Sequence, residues 1–148
     1  MKFAVSFLAA LVVAIPAAQA TYSVEPIGEP GAYSGCLAVD GETQLGFVGV
    51  GHSIGLIAHS ELLRLRKGDA VDGTWSVDGG KSYKLDASTD TANTISASVP
   101  PTKAMYDLLV QGSTFNVTMG ATDVEWSLAG SGKALTDLGA CMDKNVKQ

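Results

Sequence analysis

The sequence predicts a mainly β protein, an antiparallel β-sandwich or flattened barrel of about eight strands with two short helices and one disulfide. Three observations carry that expectation. Near the C-terminal end, Val124, Trp126 and Leu128 alternate with Asp123, Glu125 and Ser127, the period-two signature of a strand with one wet face. Elsewhere, short apolar or alternating runs are separated by Gly, Pro and Asp turn residues, which leaves little room for long helices. The only two cysteines, Cys36 and Cys141, stand just before the first core-like run and inside the last amphipathic segment. A bridge between them ties the start of the fold to its end.

Taken in order, Lys2, an apolar run to Ile15, Pro16 and the small-x-small triplet Ala18, Gln19, Ala20 have the form of a cleavable export signal over residues 1–20. A spanning anchor needs about 20 uninterrupted apolar residues. The run falls short of that, so no stable membrane insertion is expected. Cleavage after Ala20 would leave 128 residues, enough for one core and one domain. An even cysteine count in an exported chain favours a disulfide.

Residues 21–34 contain Pro26, Pro30 and glycines with little periodicity, and read as an extended N-terminal arm leading into a single β-rich domain over residues 35–148. Residues 36–39 form a short strand closed by Asp40 and Gly41. Residues 45–50 are apolar on both faces and suit a central strand in which Gly46 and Gly49 admit close backbone approach. Leu62, Leu63 and Leu65 can face a core from either a helix or a strand; a strand is favoured at 56–58, with a helical turn near Glu61 left open.

Val71, Trp75 and Val77 precede the turn Asp78, Gly79, Gly80, after which Tyr83, Leu85 and Ala87 alternate with polar residues, predicting a hairpin. Ile95, Ala97 and Val99 make another strand, stopped by Pro100 and Pro101. A short helix over 102–111 carries Ala104, Met105, Leu108 and Leu109 on one face and ends at Gly112. Phe115, Val117 and Met119 form the next strand. After the closing strand, Ser131 is placed to cap a helix whose stripe is Leu135, Leu138, Cys141 and Met142.

Fifteen Asp and Glu against ten Lys and Arg give a net charge of −5, and loss of Lys2 takes it to −6. Such a chain is a poor partner for nucleic acid and a good one for a basic protein, since opposite charges speed and orient encounter.

Gly51, His52, Ser53, Ile54 and Gly55 spell G-x-S-x-G after a strand-like run, and a serine hydrolase would use Ser53 as nucleophile. With only His52 and His59 in the chain, the late histidine base of that fold is missing, and ordinary glycine-rich strand packing explains the motif better. The odd spacing of those histidines does not place both on one strand face, so no metal site or cofactor is expected. Two polar stretches remain as binding surfaces. Arg64, Arg66 and Lys67 concentrate positive charge in an acidic chain, and Lys81, Ser82 and Tyr83 place a cation, a hydroxyl and an aromatic ring at a hairpin tip.

Two resemblances bear on function. The run Trp126, Ser127, Leu128, Ala129, Gly130, Ser131 with Ala134, Leu135, Leu138 and Cys141, preceded by a Pro–helix–Gly–strand unit over 101–119, resembles the C-terminal part of the exported invasion-associated locus B proteins. That resemblance covers the last third of the chain and implies a small non-enzymatic β-rich envelope or host-interaction protein. Gly79, Gly80, Lys81, Ser82 and Tyr83 are similar to the S-G-x-x-Y loop of periplasmic inhibitors of c-type lysozyme, with Gly79 in the serine's place. There the resemblance implies that Lys81 and Ser82 engage an enzyme's catalytic carboxylates, with Tyr83 or the cluster of Arg64, Arg66 and Lys67 as flanking contact. The combined expectation is a periplasmic protein, not an enzyme, that acts by binding a basic, lysozyme-like peptidoglycan hydrolase. The alternative is an envelope protein of the invasion-associated type without inhibitor activity.

Overall fold

Residues 21–42 and 44–145 are described by a computed structural model, so the export signal expected over residues 1–20 lies outside the described residues. Ten strands form among them: β1 Ser23–Glu29, β2 Ala32–Val39, β3 Leu45–Val50, β4 Ser53–His59, β5 Thr74–Val77, β6 Tyr83–Lys84, β7 Ala87–Thr91, β8 Thr94–Val99, β9 Thr114–Met119 and β10 Thr122–Ser127. The helices are α1, Lys103–Gln111, and α2, Ser131–Asn145. Every pairing is antiparallel, and the strands divide into a six-stranded sheet, β1-β2-β3-β4-β8-β7, and a four-stranded sheet, β10-β9-β5-β6. The expected sandwich class holds.

Register explains how the core is assembled. Val24, Ala38, Phe47, Leu56, Ala97 and Ala87 lie opposite one another in successive strands and make one apolar row across the whole six-stranded sheet. The smaller sheet answers with Trp126, Phe115 and Val77 in one row and Val124, Val117 and Trp75 in the next. These side chains form a single core, with Phe47 and Phe115 fully enclosed and Val24 and Ala87 half-buried against it. Helix α2 covers β1, β2 and β3. It buries Ala134, Leu135 and Leu138, and Cys141 on it is bonded to Cys36 on β2, with the two Cα atoms 6.2 Å apart.

Three elements differ from the sequence expectation. Residues 21–34 are extended but are no separate arm, because β1 and β2 form a hairpin along the edge of the large sheet. Pro26 is tolerated there since an edge strand has one row of backbone groups with no partner strand. The alternation of Tyr83, Leu85 and Ala87 does not belong to one strand. The Leu85 N–H donates to the Gly73 carbonyl in the small sheet, whereas the Asp86 carbonyl accepts from Ser98 in the large one. The chain therefore changes sheets between these residues, at a corner of the sandwich.

Ser131 is not a cap. It is the first residue of α2, is buried, and donates its hydroxyl to the Leu109 carbonyl at 2.7 Å, joining α2 to α1. Gly112 ends α1 as expected, with its N–H on the Leu108 carbonyl, but its φ of −72° is open to any residue. Space is what demands glycine here, since an added Cβ would lie 2.2 Å from Val77 Cγ1. The helical turn left open near Glu61 is a 3-10 turn over Glu61–Leu63, capped by the Ser60 hydroxyl.

Candidate functional site

The hairpin joining β5 to β6 is organised by Asp78. Its φ of 51° and the 65° of Gly79 are left-handed, and the Gly80 N–H closes the turn on the Val77 carbonyl at 2.9 Å. This is the tight turn whose twist matches its flanking strands, and Asp followed by Gly is well suited to it. The Asp78 carboxylate reaches across to the loop entering β9. It accepts the Thr114 N–H at 2.8 Å, the Ser113 N–H at 3.0 Å and the Thr114 hydroxyl at 3.2 Å, while its own N–H donates to the Thr114 carbonyl. The backbone N–H groups of Thr114 and Ser113 hold this carboxyl below its usual value, because they stabilise the charged form. The turn is thus tied to a second element.

The other root of the loop is fixed by stacking. Tyr83 lies on Trp75 with ring centroids 4.6 Å apart at 27°, and Trp75 packs in turn on Phe115. Between these anchors Lys81 and Ser82 are exposed. The Lys81 ammonium sits 5.3 Å from the Tyr83 ring centroid, and among the described residues neither it nor the Ser82 hydroxyl makes a hydrogen bond or ion pair. A lysine and a hydroxyl are displayed on a loop held at both ends.

Tyr83 also walls a cleft of about 560 Å³ with Lys84, Val48, Val50 and Pro100. On the far side of Ile54 a larger groove of about 700 Å³ runs between the β3–β4 turn and α2, with Tyr106, Leu138, Met142 and Asp143 in its walls. The two share Ser53 and Ile54.

The second polar stretch lies elsewhere. The Leu65 N–H donates to Asn93 Oδ1, and the Gly68 N–H donates to the Thr89 carbonyl, which seats residues 65–69 against β7 and its turn into β8. Asn93 precedes the start of β8, whereas the cleft beside Tyr83 is at its end, by Val99 and Pro100. At about 3.4 Å per residue, the length of β8 puts on the order of 17 Å between them. Arg64, Arg66 and Lys67 therefore belong to a separate stretch of surface, and a single small site does not use both.

The G-x-S-x-G stretch is a hairpin turn and not a strand-to-helix elbow. Val50 pairs with Ser53 across the two-residue turn Gly51-His52, Gly51 having a φ of 58°. His52 is exposed and, among the described residues, hydrogen-bonds neither Ser53 nor an acid. His59 is at the other end of β4, on the order of 20 Å away at the usual strand rise. Its Nδ1 is 2.9 Å from the Thr94 hydroxyl, its Nε2 is 3.4 Å from Glu61, and its carbonyl accepts the Trp126 indole N–H at 2.9 Å. Its role is to join the two sheets. No cluster of three or more His, Cys, Asp or Glu with metal-binding geometry occurs among the described residues. No helix among them is long and apolar enough to cross a membrane.

Sequence reasoning located the tip and its turn but missed Asp78 as the clamp. The Asp-Gly pair signals the turn; nothing local signals a bond to residues 35 and 36 positions on.

Fold and site together define a class: a disulfide-stapled two-sheet β domain that holds out one rigid hairpin tip beside a cleft. No family model, curated protein or solved structure matches the chain.

Proposed function

We propose that this protein is a non-enzymatic periplasmic binder of another protein, an inhibitor of a lysozyme-like peptidoglycan hydrolase, with Lys81 and Ser82 presented to the enzyme's catalytic carboxylates. The observation that carries the reading is the doubly anchored tip. An exposed ammonium over the Tyr83 ring and an exposed hydroxyl, neither in a hydrogen bond or ion pair among the described residues, sit on a loop fixed by Asp78 at one root and by the Tyr83–Trp75 stack at the other. A preordered loop loses little conformational freedom on entering a cleft, and that lowers the cost of binding. A lysine is drawn to an ionised acid, and a hydroxyl donates to one. The net charge of −5 supports a basic partner, because attraction raises the association rate.

The test is lysis of bacterial cell walls by a c-type lysozyme in the presence of the protein beginning at Thr21, which holds every described strand and helix. Near-stoichiometric protein should slow lysis, and Lys81→Ala should weaken the effect by roughly tenfold or more, as for loss of a buried charge pair. Undiminished lysis at excess protein would retire the proposal.

A further inference from the structure

The sequence Leu62-Leu63-Arg64-Leu65-Arg66-Lys67 is sorted by the fold into two sets. Leu63 is buried and Leu65 half-buried, while Leu62, Arg64, Arg66 and Lys67 are exposed. Leu62 is 61% exposed and Val50 53%, the two exposed large apolar side chains among the described residues. Leu62 is there by construction. The 3-10 turn is capped by Ser60, Arg64 adopts a left-handed φ of 52°, and the Leu65 N–H is held by Asn93. A leucine is thus pushed outward beside three cations.

Those cations are three of the ten Lys and Arg in the chain, gathered within four positions. Among the described residues, none of their charged groups makes an ion pair or a hydrogen bond. Of the three acids in the connection from β4 to β5, Asp72 is exposed five positions beyond Lys67, and the other two are engaged with their own neighbours. Glu61 takes the Asn93 side-chain N–H at 2.7 Å and lies beside His59, and the Asp69 carboxylate accepts the Arg66 backbone N–H at 2.8 Å. None of the clefts described above is lined by residues 62–67. The stretch carries one exposed apolar side chain and three exposed cations within six positions.

We infer that this loop docks the protein onto an anionic phospholipid surface, Leu62 entering the interface while Arg64, Arg66 and Lys67 bind lipid phosphates. Guanidinium groups take phosphate oxygens in pairs, and an exposed apolar side chain among cations suits the headgroup region. The acidic remainder of the molecule is repelled by such a surface. Beyond about 8 Å that repulsion is screened at physiological salt, so the protein approaches in the one orientation that presents this loop. The contact is peripheral and requires no spanning segment.

The test is co-sedimentation of the protein beginning at Thr21 with vesicles of equal parts phosphatidylglycerol and phosphatidylcholine, against vesicles of phosphatidylcholine alone. Partition should favour the anionic vesicles and be lost at about 0.5 M salt, where screening shortens to a few ångströms. A triple variant, Arg64→Asn, Arg66→Ser and Lys67→Ser, should bind about a hundredfold more weakly, from about fivefold for each cation. Asn suits the left-handed position, and all three sites are exposed, so the fold is retained. Leu62→Ser should cost about tenfold in partition, in keeping with its exposed apolar area. Lys81→Ala, on the hairpin tip, should bind vesicles as the wild type does. Equal partition onto the two vesicle types, or undiminished binding by the triple variant, would overturn the inference.

Discussion

Removing the disulfide perturbs the structure where its two ends meet. Cys36 on β2 and Cys141 on α2 are separated by 105 positions, so their bond closes nearly the whole domain into one loop. On the chain-entropy model, a cross-link closing about 100 residues removes about 4.7 kcal/mol of freedom from the unfolded chain. That is comparable with the entire stability of many domains, which spans about 5–15 kcal/mol. Helix α2 keeps other attachments: Ala134, Leu135 and Leu138 are buried, and Ser131 holds Leu109. The paired variant Cys36→Ala with Cys141→Ala should therefore still fold, with its unfolding free energy lowered by roughly 4–5 kcal/mol. For a domain of about 125 residues this lowers the melting temperature by roughly 15–20 °C. Urea titration followed by tryptophan fluorescence reads it directly, because Trp75 and Trp126 are both buried. A loss below about 1 kcal/mol would show that the closed loop does not govern stability and would refute the reasoning.

Three further predictions concern the clamp, the core and the sheet junction. Since the Thr114 and Ser113 N–H groups hold the Asp78 carboxyl below its ordinary value in the folded state, its stabilisation is complete above that ordinary value and drains away as pH falls through the lower folded one. Asp78→Asn keeps a residue suited to the turn and should flatten the stability loss as pH falls below the ordinary carboxylate range, measured by urea midpoints; an unchanged slope would remove the clamp from the account. Gly112→Ala should destabilise by about 1–3 kcal/mol through overpacking against Val77. Gly49→Ala should cost less, because the new methyl meets the flexible Met142 side chain at 3.1 Å, and equal losses would contradict the packing argument. Trp126→Phe removes the indole bond to the His59 carbonyl and should cost about 1–3 kcal/mol by thermal unfolding, chiefly from the acceptor left without its donor.

Much of this architecture was legible because its signals are local. The stripe of Leu135, Leu138, Cys141 and Met142 requires a surface to cover, and the lone partner for Cys141 was Cys36. The alternation at 123–128 and the Asp78-Gly79 turn likewise announce themselves within a few residues. Legibility failed where the deciding contact is distant. Pro26 and its glycines look like linker until β2 supplies the strand they pair with. The alternation of Tyr83, Leu85 and Ala87 is continuous although the hydrogen bonds pass from one sheet to the other. Ser131 satisfies the local rule for a cap, yet α1 lies close enough to take its hydroxyl. Gly51, His52 and Ser53 match an elbow in letters, and only the pairing of Val50 with Ser53 makes them a hairpin turn. At the candidate site, Lys81, Ser82 and Tyr83 were visible as a polar tip. The contacts that anchor the loop come from Ser113, Thr114 and Trp75, which no spacing rule connects to it.

The central proposal is that the tip carrying Lys81 and Ser82 occupies the substrate cleft of a lysozyme-like enzyme. Competition tests that most directly: a c-type lysozyme bound to the immobilised protein is challenged with a soluble N-acetylglucosamine oligomer. Displacement of the enzyme by the oligomer, together with weakened capture by Lys81→Ala, is the predicted result. A lysozyme that holds the oligomer and this protein at the same time would contradict it.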